Sequence, residues 1–227
     1  MKRVFGVASL IAAFSACGGS SSSSPTPMTP SPTPAPAPTT GPFQGTISGN
    51  SGQTGTLSVT IEAQVSGSVH VAGGTTTALT GTRDSSTNAV NLSGGGFTFA
   101  GTINGGVLAG RYASLNNSDG AFSSLNATNT TVTTSCGTYG SPGGESGIYN
   151  VQVSTNGTPS GDGISTTTIH GGFLLTGQLT GTTLTMTQVD IETGHTIGTH
   201  SMTVQGGTVS GTCGPGCSLT ASTSRCQ

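Results

Sequence analysis

Between positions 55 and 63 the chain reads Gly-Thr-Leu-Ser-Val-Thr-Ile-Glu-Ala. In an extended chain Leu57, Val59, Ile61 and Ala63 share one face, and Ser58, Thr60 and Glu62 share the other. This period of two marks an antiparallel strand with one side buried and one side wet. The same texture of short alternating runs broken by Gly, Asn and Ser continues towards the C-terminus. Composition leaves little room for anything else: 42 Thr, 31 Ser and 39 Gly make about half of the 227 residues, and only 5% are charged. The branched Cβ of Thr suits strands, and Gly opposes helix interiors. A mostly helical fold is therefore excluded. Only 4% of residues are aromatic, so a thick core is excluded as well. Val, Leu, Ile and Thr methyl groups must meet at close range, and stability must lean on sheet closure or disulfides.

Further strands are expected over 66–71, 77–81, 89–92, 97–103 and 107–109 in a first half. A second half supplies 147–153, 164–170, 173–179, 183–189, 197–204 and 208–213. Asn104-Gly105 is a tight hairpin signal between two of them. Part of the pattern recurs. Gly55-Thr-Leu-Ser-Val-Thr-Ile returns as Gly147-Ile-Tyr-Asn-Val-Gln-Val, so that Tyr149, Val151 and Val153 stand for Leu57, Val59 and Ile61. Ile103-Asn-Gly-Gly-Val-Leu-Ala-Gly110 returns as Val204-Gln-Gly-Gly-Thr-Val-Ser-Gly211. Offsets of 92 and 101 residues agree within loop variation, which predicts a duplication. The expected fold is all-β and antiparallel, with neighbours in sequence paired. Such a sheet hides its edges by closing into a barrel, either two small ones or one larger curled sheet. A β-sandwich is the rival. A membrane-spanning barrel is disfavoured by the short strands and the scarcity of aromatic girdles.

The N-terminus has another logic. Met1-Lys2-Arg3 is a positive start, 4–14 is an apolar run too short to span a bilayer, and Phe14-Ser15-Ala16-Cys17 follows. This segment resembles the lipobox signal peptide of bacterial lipoproteins, with Phe14 where Leu is usual. The resemblance covers about 20 residues. It implies that residues 1–16 are removed and that Cys17 carries a diacylglyceride and an amide-linked acyl chain such as palmitate. Stable insertion in a membrane requires more than one such chain. The lack of an early Asp after Gly18 points to the outer membrane of a diderm cell. Residues 17–42 are the lipidated Cys and a Ser- and Pro-rich tether. Alternating Pro forbids helix and cannot feed a sheet ladder. At roughly 3.1 Å per residue the stretch from 20 to 42 reaches about 70 Å. The folded part then divides as 43–135, 136–213 and a Cys-containing tail at 214–227.

Without residues 1–16 the chain carries Arg83, Arg111 and Arg225 against seven acidic residues, a formal charge of -4. Nucleic-acid binding needs clustered Lys and Arg, so that partner class is excluded. Cys136, Cys213, Cys217 and Cys226 are an even set in an exported chain and predict two disulfides. The favoured pairing is Cys136–Cys213 with Cys217–Cys226, and Cys136–Cys217 is close behind. The five-residue span Cys213-Gly-Pro-Gly-Cys217 lacks the spacing of a redox pair.

The search for chemistry returns little. His170, His195 and His200 with Asp190 and Glu192 suggest a metal set, but parity separates His195 from His200 on a straight strand. The expected reading of this stretch is a hairpin loop with solvated polar residues. His70 is expected on the outer face of a strand. Asp84, Asp119, Glu145 and Asp162 sit among Gly, Ser and Asn and read as turn residues. No nucleophile elbow, paired carboxylates or phosphate-cradling loop stands out. No catalytic, cofactor or metal residue is therefore assigned. The functional expectation is a lipid-anchored cell-envelope β protein with a binding or structural role towards a protein or glycan, held to membrane lipid through acylated Cys17. The alternative is an enzyme acting on polysaccharide or another polymer.

Overall fold

The computed structural model describes residues 37–115, 119–167 and 171–227. Cys17, the segment 1–16 and most of the tether therefore lie outside the described residues. The first eight strands are β1 (Gly41–Gly49), β2 (Thr54–Ile61), β3 (Val65–Val71), β4 (Thr76–Arg83), β5 (Ala89–Gly94), β6 (Phe97–Asn104), β7 (Val107–Ser114) and β8 (Gly120–Asn126). The second eight are β9 (Val132–Gly140), β10 (Ser146–Ser154), β11 (Pro159–Ser165), β12 (Gly172–Thr180), β13 (Thr183–Asp190), β14 (Thr196–Gln205), β15 (Thr208–Gly214) and β16 (Cys217–Ser222). Each set pairs antiparallel in sequence order and closes, β1 on β8 and β9 on β16, into its own barrel. The sheet thus closes as two barrels, not as a sandwich or one larger sheet.

The two repeated segments occupy equivalent places. β2 and β10 are the second strands of their barrels, and the hairpins β6–β7 and β14–β15 are the sixth and seventh. Their turns match in backbone as well: Gly105 and Gly106 have φ of 57° and 80°, and Gly206 and Gly207 have 57° and 79°. A two-residue turn with both centres left-handed follows the twist of the flanking strands, and glycine reaches it without strain.

Alternation fills each interior. Phe43, Ile47, Leu57, Val59, Phe99, Leu108, Tyr112 and Phe122 pack inside the first barrel. Tyr149, Val151, Phe173, Leu175, Leu184, Met186 and Met202 pack inside the second. Each such large side chain contributes roughly 1.5–3 kcal/mol of burial. Inward glycines make room for the rings: a Cβ at Gly163 would lie 2.2 Å from the Phe173 ring, and one at Gly101 would lie 2.6 Å from Phe122. The outer faces of β2 and β3 carry Thr56, Ser58, Thr60, Ser66 and Ser68, with His70 on the outside of β3 as expected.

The barrel limits correct the expected boundaries. The first barrel opens at Gly41, inside the expected tether, and the second opens at Val132. Residues 214–227 are not a tail. They supply β16, which closes the second barrel, and a short 3-10 helix, Thr223–Cys226. This placement also corrects the disulfides, which are Cys136–Cys226 and Cys213–Cys217. Neither Cys136–Cys213 nor Cys136–Cys217 forms. Cys213 and Cys217 flank the β15–β16 turn and face each other across it. β16 then runs beside β9 with Ser222 opposite Cys136, and the short helix carries Cys226 onto it.

The barrels meet along a polar seam. Thr46 and Ser48 on β1 and Ser123 on β8 face Asn150 and Gln152 on β10 and Ser160 and Asp162 on β11, all buried. Asp162 is therefore a strand residue at the centre of the molecule, not a turn residue. Its Oδ1 accepts from Asn150 Nδ2 at 3.1 Å. Its Oδ2 accepts from Gln152 Nε2 at 3.3 Å and from the Thr46 hydroxyl. Asn150 Nδ2 also donates to the Ile47 carbonyl at 2.7 Å, and its Oδ1 accepts from Thr54 at 3.1 Å. Ser160 donates to Gln152 Oε1 at 2.6 Å and accepts from Ser123 at 2.9 Å. Buried polar groups are tolerable only when paired in this way. At the surface Arg111 spans the seam to Glu192 at 3.1 Å.

Candidate ligand-binding site

The histidine and acid set suggested by the sequence does not converge. Asp190 caps its own hairpin, its Oδ1 accepting from the backbone N–H groups of Glu192 at 2.9 Å and Thr193 at 2.7 Å. Glu192 turns to Arg111, His195 is exposed, and His170 lies outside the described residues. His200 departs from the expected solvated loop. It sits on β14 opposite Met186, and its ring points into the second barrel.

Other acids behave as local chemistry dictates. Asp84 makes the expected turn, accepting from Ser86 N at 2.8 Å and Ser86 Oγ at 2.6 Å, which holds its carboxyl down at about 2. Asp162 is the reverse case. Burial pushes it up to about 7, against the lowering effect of its hydrogen bonds to Thr46, Ser48, Asn150 and Gln152. A carboxyl titrating near neutrality often marks a working site. Here it is fully buried in the seam, with no face open to a substrate.

The end of the second barrel where β9, β13 and β15 finish holds a recess of about 260 Å³. Each strand delivers its side chain by parity. β9 brings Tyr139, β10 Tyr149, β12 Phe173, β13 Gln188 and β14 His200, all inward. Glu145, Ile197 and the Cys213–Pro215–Cys217 turn form the rim. Below them Val151, Leu175, Leu184 and Met202 plug the barrel. The three rings meet in a triangle of centroid separations: 6.3 Å for Tyr139–Tyr149, 5.9 Å for Tyr139–Phe173 and 6.0 Å for Tyr149–Phe173. His200 stands edge-on to Tyr149 at 6.3 Å.

The inward polar groups of this mouth are uncharged but specific, and the carboxylate of Glu145 stands at the rim. His200 Nε2 lies 2.8 Å from Gln188 Oε1. An amide oxygen can only accept, so Nε2 carries the proton and Nδ1 keeps a lone pair. Burial lowers the imidazole pKa, which keeps the ring neutral at pH 7. Tyr139 donates to Glu145 Oε1 at 2.8 Å. Burial, together with that carboxylate, raises its phenol. Burial alone raises the Tyr149 phenol. The Tyr149 hydroxyl is buried and has no hydrogen-bond partner among the described residues. A stranded donor of this kind costs roughly 1–3 kcal/mol.

A larger recess, about 630 Å³, lies against the wall of the first barrel near Thr80, Asn91, Thr98 and Arg111. Its polar groups point outward into solvent, so a ligand there would trade water for protein with little net gain. The mouth of the second barrel differs because its Gln188 and His200 point inward and are nearly buried. Sequence reading assigned none of Tyr139, Tyr149, Phe173 or Gln188 to a site. The available signal was inward parity combined with bulky rings beside Gly147 and Gly172 at strand starts. No protein-family model, curated protein or solved structure matches the chain.

Proposed function

We propose that this chain is a binding module of the cell envelope, held to membrane lipid by acylated Cys17 and presenting the mouth of its second barrel to a small ligand. The observation that carries the reading is the recess itself, a concave mouth bordered by Tyr139, Gln188, His200 and Glu145 above a floor of buried Tyr149 and Phe173.

The route of the chain supports it. Gln44, near the start of β1, borders a recess with Val132 and Thr134 at the far end of β9 from the mouth. Asn50, beyond the other end of β1, shares a recess with Ile164 and Gly172 near the mouth. The first strand therefore opens at Gly41 on the side remote from the pocket.

Two measurements test the reading. Mass spectrometry of the native protein should show an acylated Cys17, and Cys17→Ser should move the protein from the membrane fraction to the soluble one. NMR of the full chain with small probes spanning neutral sugars, ammonium ions, carboxylates and phenols should shift resonances of Tyr139, Tyr149, Phe173 and His200. An unacylated cytosolic protein would remove the anchoring half of the proposal. A mouth unmoved by every probe would remove the binding half.

A further inference from the structure

We infer that the buried seam makes its own covalent link, an ester between the Thr46 hydroxyl of the first barrel and the Gln152 side chain of the second, formed with loss of ammonia. Four side chains meet there out of reach of solvent: Thr46, Gln152 and Asp162 are 0% exposed and Ser160 is 1% exposed. The Thr46 hydroxyl donates to Asp162 Oδ2 and accepts from Gln152 Nε2. The same Oδ2 lies 3.3 Å from Gln152 Nε2. At the other end of the amide, Ser160 Oγ donates to Oε1 at 2.6 Å. A carboxylate only accepts, so the amide end beside Asp162 is the NH2 and the end beside Ser160 is the carbonyl oxygen.

Acyl transfer requires a nucleophile held against a base, an electrophilic carbon beside it, and a donor on the carbonyl oxygen. All are present. The Gln152 carbon is one bond behind Nε2, and a turn of the amide about its last side-chain bond, a soft torsion, offers its face to Thr46 Oγ1. Asp162 takes the hydroxyl proton as the Oγ1–Cδ bond forms, and Ser160 holds the charge that gathers on Oε1. The Cδ–Nε2 bond then breaks, and Oδ2 returns the proton to the departing nitrogen. One hydroxyl and one carboxamide become one ester and one ammonia, and no further reactant enters. Well-oriented neighbours react as if at about 10⁵–10⁸ M. Burial also keeps out water, the competing nucleophile.

Two other seam hydroxyls touch amides, Thr54 at Asn150 and Ser160 at Gln152, but each donates to the amide oxygen and neither is bonded to a carboxylate. Burial holds the Asp162 carboxyl up at about 7, so it becomes a base as pH rises through neutrality. No other titratable side chain stands on β1, β8, β11 or β12, and Tyr149 of β10 points into the second barrel. The unlinked chain is the form whose stability the Asp162 carboxyl governs. Once made, the ester ties residues 106 apart in sequence and fixes the barrels to each other.

The test is the mass of the full chain, expressed unfolded, refolded at pH 4 and moved to pH 8, with its disulfides reduced before measurement. At pH 8 it should lose about 17 Da, one ammonia, and at pH 4 the loss should be far slower. Trypsin cleaves after Arg83 and Arg111, which puts Thr46 and Gln152 on different fragments. Those fragments should stay joined in denaturant and part in hydroxylamine, which cleaves esters. Thr46→Ser should keep the link, and Thr46→Val, shown folded by circular dichroism, should abolish it. Asp162→Asn should slow it about a hundredfold or more. Wild-type fragments that separate at unchanged mass overturn the proposal. A gain of about 1 Da without joining, the product of attack by water, overturns it too. Joined fragments lighter by about 18 Da place the link on Asp162 and overturn the assignment to Gln152. A link that survives Thr46→Val overturns the assignment to Thr46.

Discussion

Asp162→Asn is the substitution whose effect the structure fixes most tightly. Asp162 is completely buried, and burial pushes its carboxyl from 3.8 to about 7. Below pH 3.8 the folded and unfolded chains both carry the proton, and its contribution is fully present. Between pH 3.8 and about 7 the unfolded chain releases the proton while the native seam keeps it. Stability must then fall as pH rises, by about 1.4 kcal/mol per pH unit. Across that window the loss is about 4 kcal/mol, large against typical stabilities of about 5–15 kcal/mol. Above pH 7 the native carboxyl ionises and the loss levels off. Asparagine imitates the protonated acid: its oxygen can accept from Asn150 Nδ2, its amide can donate to the Thr46 hydroxyl at the loss of the 3.3 Å bond from Gln152 Nε2, and it cannot ionise. Urea unfolding followed by far-UV circular dichroism at pH 4 to 8 checks this. The variant should match the wild type within about 1 kcal/mol at pH 4 and exceed it by about 3–4 kcal/mol at pH 8. His200 works in the opposite sense, losing stability as pH falls below its unfolded value, because burial lowers its pKa. That trend is common to both proteins and cancels in the difference. Asp84, lowered to about 2, acts only below this range. A difference between the two curves that stays constant from pH 4 to 8 would refute the linkage, and would mean that Asp162 is native as a carboxylate held by the donors around it.

Removing the disulfides separates a long closure from a short one. Replacing Cys136 and Cys226 by Ser opens a 90-residue separation and should cost about 4–5 kcal/mol in the chain-entropy account, whereas Cys213 and Cys217 span only 4 residues and should cost about 2 kcal/mol. Urea midpoints of the two double variants check the ranking, and equal losses would contradict it. Gly163→Ala places a Cβ against the Phe173 ring and 2.6 Å from the Ile148 carbonyl, so a drop of about 1–3 kcal/mol is expected in thermal unfolding.

The barrels were legible wherever a strand faces water on one side. β2, β6, β7, β13 and β14 announce themselves by alternation, and the repeated Asn104-Gly105-Gly106 and Gln205-Gly206-Gly207 turns set the second copy in place. The strands that escaped notice are mainly those of the seam. β8 reads Gly-Ala-Phe-Ser-Ser-Leu-Asn and buries both faces for nearly its whole length. β11 reads Pro-Ser-Gly-Asp-Gly-Ile-Ser and is buried throughout. Alternation vanishes when a second barrel replaces water on the outer face, and a buried Ser-Gly-Asp-Gly looks like a turn to any local rule. The shift of β11 from the expected 164–170 to Pro159–Ser165 follows from the same cause. The disulfides were unreadable for a different reason. Their pairing depends on β16 lying beside β9, a contact between the two ends of the second barrel that no local pattern encodes. The mouth residues were visible only as core, because parity places Tyr149 with Val151 and Val153 whether or not the layer above is filled.

Among the described residues each barrel is a ring in which every strand has a neighbour on both sides. Thr- and Val-rich segments of this kind, laid open, would zip onto identical segments of adjacent molecules. A ring offers no terminus for such growth, and recruiting a foreign strand first requires a whole row of ladder bonds to break. Copies at high concentration can thus touch through hydroxyl-clad walls and remain individual particles.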